Sequence, residues 1–444
     1  MTRSVLFIAP SAYPLGGVQT WLDYIVPGLQ EHGLDAGIAL TSGDLHDVDE
    51  YLKIHPFENS HTIDNPTGSS IGRTFALERL IVRLQPDAII VVNIADVYRA
   101  INNLRRTHSD IKTKVITSIH GIHPGLIDDI QQYHHVIDAV ITTNKLTQEL
   151  VCRNTQIGKQ RVLYAPYGVA AAPPSYTRPT HASKFTIAYV GRLDEDQKRI
   201  DDLIDIFTNV RKTIDNVEIL IAGDGSKRQD IEKWVVEQND DSNITYFGTL
   251  DSDALREQIY AKSDVLLLTS YWETGPIVAW EAFQHGLTLV TSQYIGCAEE
   301  RSLIDGENCL IFEIGDTATA VAKLQQASSA VLRAKLAQNS QTLVDTKYSL
   351  YSSISAWAEQ INYAMEFEPK HYHQLPASHT DSGRLSTTID KLFGQSGLRL
   401  LDGIKRRLGI RFKHTDSGGE WPHSHSKVDS QSTSLHAYID QGNK

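Results

Sequence analysis

Cysteine is scarce in this sequence. Its 444 residues hold three, Cys152, Cys297 and Cys309, odd in number and far apart. That excludes a disulfide framework, gives no metal-ligand spacing, and suits a reducing compartment. Excess positive charge is also missing: 54 acids against 42 Lys and Arg leave a formal net charge of −12. Nucleic acid is therefore not expected as the main partner. No apolar run approaches the ~18 residues of a membrane-crossing helix. The opening MTRSVLFIAP has an apolar run too short for a signal-peptide core and reads as a buried strand. A cytoplasmic protein is expected. No repeat of solenoid length is present.

With 41% hydrophobic and 22% charged residues the composition is that of a globular protein. Its length is too great for one ordinary core, so two domains are expected. Short apolar runs alternate with longer amphipathic stretches, the pattern of βαβ units. The first half offers SVLFIA, a helix near Val18 to His32, AGIAL, the helix-like FALERLIVRL, then AIIVVN, KVITSI, AVITT and RVLYA. AAAPPSYTRPTHASK reads as an interdomain linker. The pattern restarts with FTIAYVG, VEILIAG, ITYFG, DVLLLTS and LTLVTS. The expected division is a first domain over 1–168, a linker over 169–184 and a second domain over 185–347. A helix over 348–366 and a tail over 367–444 complete it.

Ligands of open parallel α/β sheets sit at the carboxyl ends of the strands, so chemistry is sought after each apolar run. Gly16 and Gly17 follow the first strand; they permit close backbone approach, and the next helix offers free N–H groups to an anion. The other reading is a flexible turn. His120 ends KVITSI, where a neutral imidazole can donate to a sugar hydroxyl or accept a proton; a structural histidine is the alternative. His123 is less well placed. After FTIAYV, Arg192 and Lys198 flank an acidic turn and can reach one diphosphate, or else pair with Asp194, Glu195 or Asp196. Gly223 opens the turn GDGS, a weaker phosphate or base contact. The backbone of Thr249 and Leu250 is placed to touch a nucleobase.

The segment TSYWETGPIVAWEA carries Glu273 and Glu281 eight positions apart. DVLLLTS before it is a buried strand. Gly275 supplies permissive backbone, Pro276 suits the first helical position, and Ile277 continues a helix closed by Gly286. That helix start favours a phosphate. Glu273 lies just outside it, where a carboxylate accepts from sugar hydroxyls. Glu281 lies about five residues into the helix, roughly 7–8 Å along its axis, within reach of a ribose diol. The bland alternative is a dipole-capping acid plus a core-edge glutamate. Among Ala279, Trp280 and Phe283, Glu281 needs a partner.

Taken together, these residues resemble the retaining GT-B glycosyltransferases of the glycosyltransferase family 4 type. The resemblance runs from about Ser4 to Glu366 and rests on the order of its motifs. They are the Gly-Gly loop, His120, YAPYGV, YVGRL with a following lysine, AGDG, FGTL, the two glutamates, and YIGCAEERSLIDGENCLIF. It implies an α/β fold of two Rossmann-like parallel-sheet domains facing across a cleft. The second domain would bind a nucleotide sugar and the first mainly the acceptor, with the 348–366 helix crossing back to the first. By position, Arg192 and Lys198 would take the diphosphate, Glu281 the ribose and Glu273 the donor sugar. His120 would lie near the transferring sugar, and Gly17 near the donor phosphate or acceptor. The implied acceptor is a glycan, lipid-linked or cell-envelope precursor, with no cofactor and no metal. Some positions depart from the family pattern: Gln197 stands where lysine is frequent, Gln19 for glutamate, Tyr167 for asparagine, and Cys309 for glycine, and no proline precedes Glu299. A nucleotide-sugar epimerase on the same fold and a non-catalytic binding subunit are the rival readings.

Much of the tail, rich in His, Ser, Gly, Asp and Thr, is expected to be disordered. Its exception is 391–413, with seven Lys and Arg among regularly placed apolar residues and one acid, Asp402. A peripheral contact with an anionic membrane, at its inner face, is one expectation. A helix packed on the domains is the other.

Overall fold

The computed structural model describes residues 2–11, 17–44, 46–108, 111–122, 124–172, 184–238, 243–375 and 384–411, the first twelve residues of the last segment by their backbone alone. Gly16, His123, most of the linker, and the tail residues 376–383 and 412–444 lie outside the described residues. The chain divides into two compact units, Met1–Ala165 with Ile354–Lys444, and Pro166–Ser353.

The first unit holds seven strands: β1 (Arg3–Pro10), β2 (Leu34–Thr41), β3 (Ser60–Thr62), β4 (Ala88–Val92), β5 (Lys114–Ile119), β6 (Ala139–Thr142) and β7 (Val162–Tyr164). Their order is β3-β2-β1-β4-β5-β6-β7, and every pairing is parallel. The second unit repeats the plan with β8 (Phe185–Val190), β9 (Val217–Ala222), β10 (Ile244–Tyr246), β11 (Val265–Leu268), β12 (Thr288–Ser292) and β13 (Leu310–Phe312). Here the order is β10-β9-β8-β11-β12-β13, again all parallel. Both sheets are therefore doubly wound. In each the order reverses beside the first strand, which opens a ligand-binding crevice at the carboxyl ends there.

Near-continuous apolar runs make these strands because both faces of each sheet are covered. In the second unit, Ile187, Tyr189, Ile219, Ile221, Val265 and Leu267 pack on one face. Ala188, Val190, Leu220, Ala222, Leu266 and Leu268 pack on the other. Alternation along each strand sorts them.

The helix Leu350–Met365 closes the first unit with its residues from Ile354 onward. Trp357 is fully buried against Trp21, with ring centroids 4.7 Å apart. Ile354 crosses so close to Gly28 that a Cβ there would lie 2.6 Å from its Cδ1. Arg3 donates to Asn362 Oδ1 at 3.1 Å and pairs with Glu366.

The polar tail starts later than composition implies. Residues 367–375 run on from the helix as a strap fixed to the first unit. Lys114 Nζ donates to the Phe367 carbonyl, and the Lys370 N–H donates to Asp138 Oδ1 at 2.9 Å. Asn102 brackets His373 with two bonds of 2.8 and 3.0 Å. The strap reads as unstructured because it is held by its own backbone groups, bonded to side chains of the first unit, and these leave no mark in composition. A helix then spans Arg384–Arg407, earlier and longer than the basic segment alone suggests.

Candidate functional site

The second unit gathers its charged candidates where β8 and β11 run side by side. Past the end of β8, the chain turns through Gly191 to Arg199, and the Asp194 carboxylate accepts from the N–H groups of Gln197 and Lys198 at 2.9 and 3.2 Å. That small turn points Lys198 inward. Past β11, the segment 269–276 is tied down by its backbone: Tyr271 N–H donates to the Gln197 carbonyl at 2.7 Å and Glu273 N–H to that of Ile295 at 3.2 Å. Thr269 Oγ1 donates to the Lys198 carbonyl at 2.6 Å.

These two loops deliver one buried network. Lys198 Nζ lies 2.5 Å from Glu273 Oε1, with side chains 10% and 6% exposed. Ser270 Oγ donates to the same oxygen at 2.6 Å. Gln197 Nε2 donates to the Trp272 carbonyl at 3.1 Å and reaches Glu273 Oε2 at 3.5 Å. Its Oε1 accepts from Arg192, whose side chain is 67% exposed and also meets Asp194 at 3.2 Å. Arg192 thus presents an open guanidinium fork above a buried lysine–carboxylate pair.

Gln197 was a departure in the sequence; in the fold it joins Arg192 to Glu273. Ser270 was not anticipated at all, since a serine after a buried strand carries no signal by itself. Gly223 has a different reason to be glycine than ligand contact. Its φ is 147°, and a Cβ there would stand 1.8 Å from the Gly191 carbonyl oxygen. Gly225, at φ 157°, meets the Leu193 carbonyl in the same way at 2.4 Å. The two loops hydrogen-bond along this contact, Leu193 N–H to Asp224 O at 2.9 Å and Lys227 N–H to Leu193 O at 2.8 Å. AGDG therefore clamps the loop that carries Arg192.

Gly275, at φ 86°, turns the chain into the helix Ile277–Gln284. Pro276 sits one position earlier than expected, as the N-cap rather than the first helical residue. No side chain caps that terminus, which leaves its leading N–H groups for a ligand. Glu281 has the partner its apolar neighbourhood demands: Tyr260 Oη donates to Oε2 at 2.7 Å. Burial raises the Glu281 carboxyl above its ordinary value, opposed by the Tyr260 bond and by Arg256. His285 stacks on Tyr260 at 5.1 Å and meets the Glu281 carbonyl through Nδ1 at 2.8 Å. Thr249 is exposed after β10, while the Leu250 side chain packs into the core.

In the first unit, Gly17 is exposed and opens the helix Gly17–Glu31 at the carboxyl end of β1. His120 follows β5. Its ring lies 4.3 Å from that of Trp21, and Nε2 is 3.1 Å from Ser118 Oγ. Burial pushes its pKa down to about 3. Burial favours the neutral imidazole, the form that both expected roles, hydrogen bonding and proton acceptance, start from. Gln19 is 1% exposed, with neither amide atom hydrogen-bonded among the described residues. Among the described residues, no group of three or more His, Cys, Asp and Glu is arranged to hold a metal ion.

With this geometry in view, comparison with known proteins gives a consistent picture. Residues 184–329 match the family Glycosyl transferases group 1, which covers the second unit's strands and the network just described. A glycogen synthase of Mycobacterium tuberculosis is 27% identical over 246 residues, half of this chain and 58% of its own length. The chain thus spans about three fifths of that curated relative. The lipopolysaccharide outer core galactosyltransferase WaaB superposes with a TM-score of 0.63 at 17% identity, over 81% of this chain and 99% of WaaB. Anabaena HepE, solved with UDP and glucose, gives 0.62 at 15%, over 81% and 100%. The fold is accordingly the GT-B fold of two Rossmann-like parallel-sheet domains.

Proposed function

We propose that this protein is a glycosyltransferase that moves a sugar from a nucleoside-diphosphate sugar to an acceptor, with retention of anomeric configuration and without a metal. The observation that carries it is the Lys198–Glu273 pair under Arg192, at the carboxyl ends of the adjacent strands β8 and β11.

Cleaving the bond from sugar C1 to the diphosphate puts positive charge on the sugar and negative charge on the leaving group. Fixed positive groups at the leaving group lower that barrier without reorganising. Arg192 supplies a fork, Lys198 a point charge, and the helix starting at Ile277 its N–H groups, set by Gly275 and Pro276. Glu273, oriented by Ser270 and Gln197, receives hydroxyls of the donor sugar. Glu281, oriented by Tyr260, receives the ribose diol. The loop at Thr249 and Leu250 borders the base. Neutral His120 donates to the transferring sugar, and Gly17 borders phosphate or acceptor. Glu273 is not cast as a covalent nucleophile: its carboxylate is already engaged by a lysine and a serine.

UDP-sugars are the first donors to test, since HepE was solved with UDP and glucose. WaaB, of like fold, is a lipopolysaccharide outer core galactosyltransferase, so cell-envelope and lipid-linked acceptors are the first to test. The experiment is a thermal-shift screen with nucleoside diphosphates and their sugars. Assays of donor consumption follow, with and without envelope glycans and with chelator present. Product configuration is read by NMR coupling. A stabilising nucleotide, transfer unaffected by chelator and a retained anomer are expected. Epimerised donor with no sugar transferred, or binding without turnover on any acceptor, would replace this reading with one of its rivals.

A further inference from the structure

The helix Arg384–Arg407 has two unlike faces. Its inner side docks on the first unit. Leu398 and Asp402 are 5% and 3% exposed, and Asp402 accepts from Arg79 Nη1 at 2.7 Å. Arg399 pairs with Glu78 at 2.5 Å and lies 4.7 Å over the Phe75 ring. Arg79, Glu78 and Phe75 all belong to the helix Ser70–Leu84, so the contact is helix on helix.

The outer side carries apolar residues in water. Leu400 is 68% exposed and Ile404 46%, four positions apart and so on one stripe of the helix. Just past the helix, Leu408 and Ile410 are 67% and 41% exposed. On a helical projection Arg407 lies beside Leu400, on the side away from Ile404, and Arg406 lies further round, toward Arg399. Both arginines are exposed and have no ion-pair partner among the described residues. Arg411, beyond them, makes only an exposed pair with Asp64. A stripe of leucine and isoleucine bordered by the free guanidinium of Arg407, with Arg406 and Arg411 exposed nearby, is costly in water and matches an interface that is apolar below and anionic above.

We propose that this outer face docks the protein on an anionic lipid surface. Charge decides among partners. Lys405, Arg406, Arg407 and Arg411 stand within seven residues that hold no acid, so this end of the helix is locally positive although the whole chain carries −12. An anionic bilayer attracts basic groups near its plane by roughly fivefold in partition for each Arg. No helix among the described residues is long and apolar enough to cross a membrane, so the contact is peripheral. The sequence allowed either an anchor with its apolar face down or a helix packed on the domains. The fold divides the helix between those roles: the Leu398–Asp402 side packs, and the Leu400–Ile404 side faces outward.

The test uses the full chain and vesicles of phosphatidylcholine with and without phosphatidylglycerol, read by co-sedimentation. Wild type pellets with the anionic vesicles at low salt, does so several-fold less at high salt, and stays in solution with the neutral ones. The double variant Arg406→Ala/Arg407→Ala binds more than tenfold more weakly, and Leu400→Asp/Ile404→Asp loses binding. Circular dichroism and wild-type nucleotide affinity show that both variants remain folded. Absence of wild-type binding to anionic vesicles, or equal binding by the folded variants, overturns the proposal. So does a wild-type dimer in solution that the Leu400→Asp/Ile404→Asp variant abolishes while vesicles go unbound. Vesicle binding is measured without sugar transfer, so either reading can fail while the other stands.

Discussion

Lys198 and Glu273 form a buried ion pair, 2.5 Å between Nζ and Oε1, contributed by the loops after two neighbouring strands. The pair has two duties that mutation separates. Removing one partner leaves a buried charge alone, a loss that reaches ~3–5 kcal/mol. Arg192 above it is mostly in water, where its local ion pair adds little to folding. Lys198→Ala therefore lowers both the melting temperature and nucleoside-diphosphate affinity. Arg192→Ala lowers affinity alone, by ~1.5–3 kcal/mol. Glu273→Gln retains nucleotide affinity and loses turnover. Calorimetric titration beside thermal melts checks all three; unchanged affinity in both cation variants removes the clamp.

The Tyr260–Glu281 bond makes nucleotide binding pH-dependent. Burial raises the Glu281 carboxyl, and the tyrosine bond opposes that rise. In the proposed site the ionised form accepts from the ribose diol, so affinity is expected to fall on acidification as Glu281 takes up a proton. Tyr260→Phe removes the opposing bond, and the fall then begins at higher pH. Glu281→Ala weakens nucleotide affinity with little change in kcat, because ribose is held in ground and transition states alike. Titrations across a pH series in the three proteins test this; coincident profiles for wild type and Tyr260→Phe would show that the bond does not tune the site.

His120 titrates far below an exposed histidine, near 3 rather than 6.5. The unfolded chain therefore binds a proton between those values that the folded one does not. Stability from this group is fully present above about pH 6.5 and is lost progressively as pH falls toward 3. Between pH 7 and pH 5 the loss is on the order of 2 kcal/mol. His120→Gln should flatten that part of the stability curve, measured by urea unfolding at each pH. A variant as acid-sensitive as wild type would place the titrating group elsewhere.

Gly223→Ala tests the loop clamp. The added methyl meets the Gly191 carbonyl at 1.8 Å, and φ 147° is strained for any L side chain. We expect a loss above ~1–3 kcal/mol in thermal stability, with nucleotide affinity lost as the Arg192 loop shifts. Gly248→Ala is the control: its φ is 68°, so backbone strain remains, but nothing lies within 4 Å of an added Cβ. A Gly223 variant no worse than this control would show that the close approach is not needed.

The strands with long apolar runs were legible because both sheet faces are buried. Of the four three-residue edge strands, β7 and β10 were legible because RVLYA and ITYFG extend the apolar pattern past the paired residues, whereas β3, the polar SHT, and β13, a short LIF after a turn-rich stretch, were not. Charged residues at strand ends were legible for the opposite reason, because charge after a buried run has few places to go. The role of Gln197 and the presence of Tyr260 in the site were not legible, because an amide and a phenol acquire their meaning only from the carboxylates they orient. The strap at 367–375 escaped because Asp138 and Asn102 hold its backbone rather than its side chains.

Trp357 fills the space beside Trp21, and Arg3 bonds Asn362 across 359 positions of chain. The first unit is thus finished by residues that are synthesised after the whole second unit. While the second unit already has all its strands, the nascent first unit still exposes Trp21 and the end of its sheet. Such long-range closure is slow and leaves sticky surface open in the meantime. Truncation within the helix Leu350–Met365 should therefore harm solubility more than its distance from the charged loops suggests, and chaperone demand during synthesis should peak late.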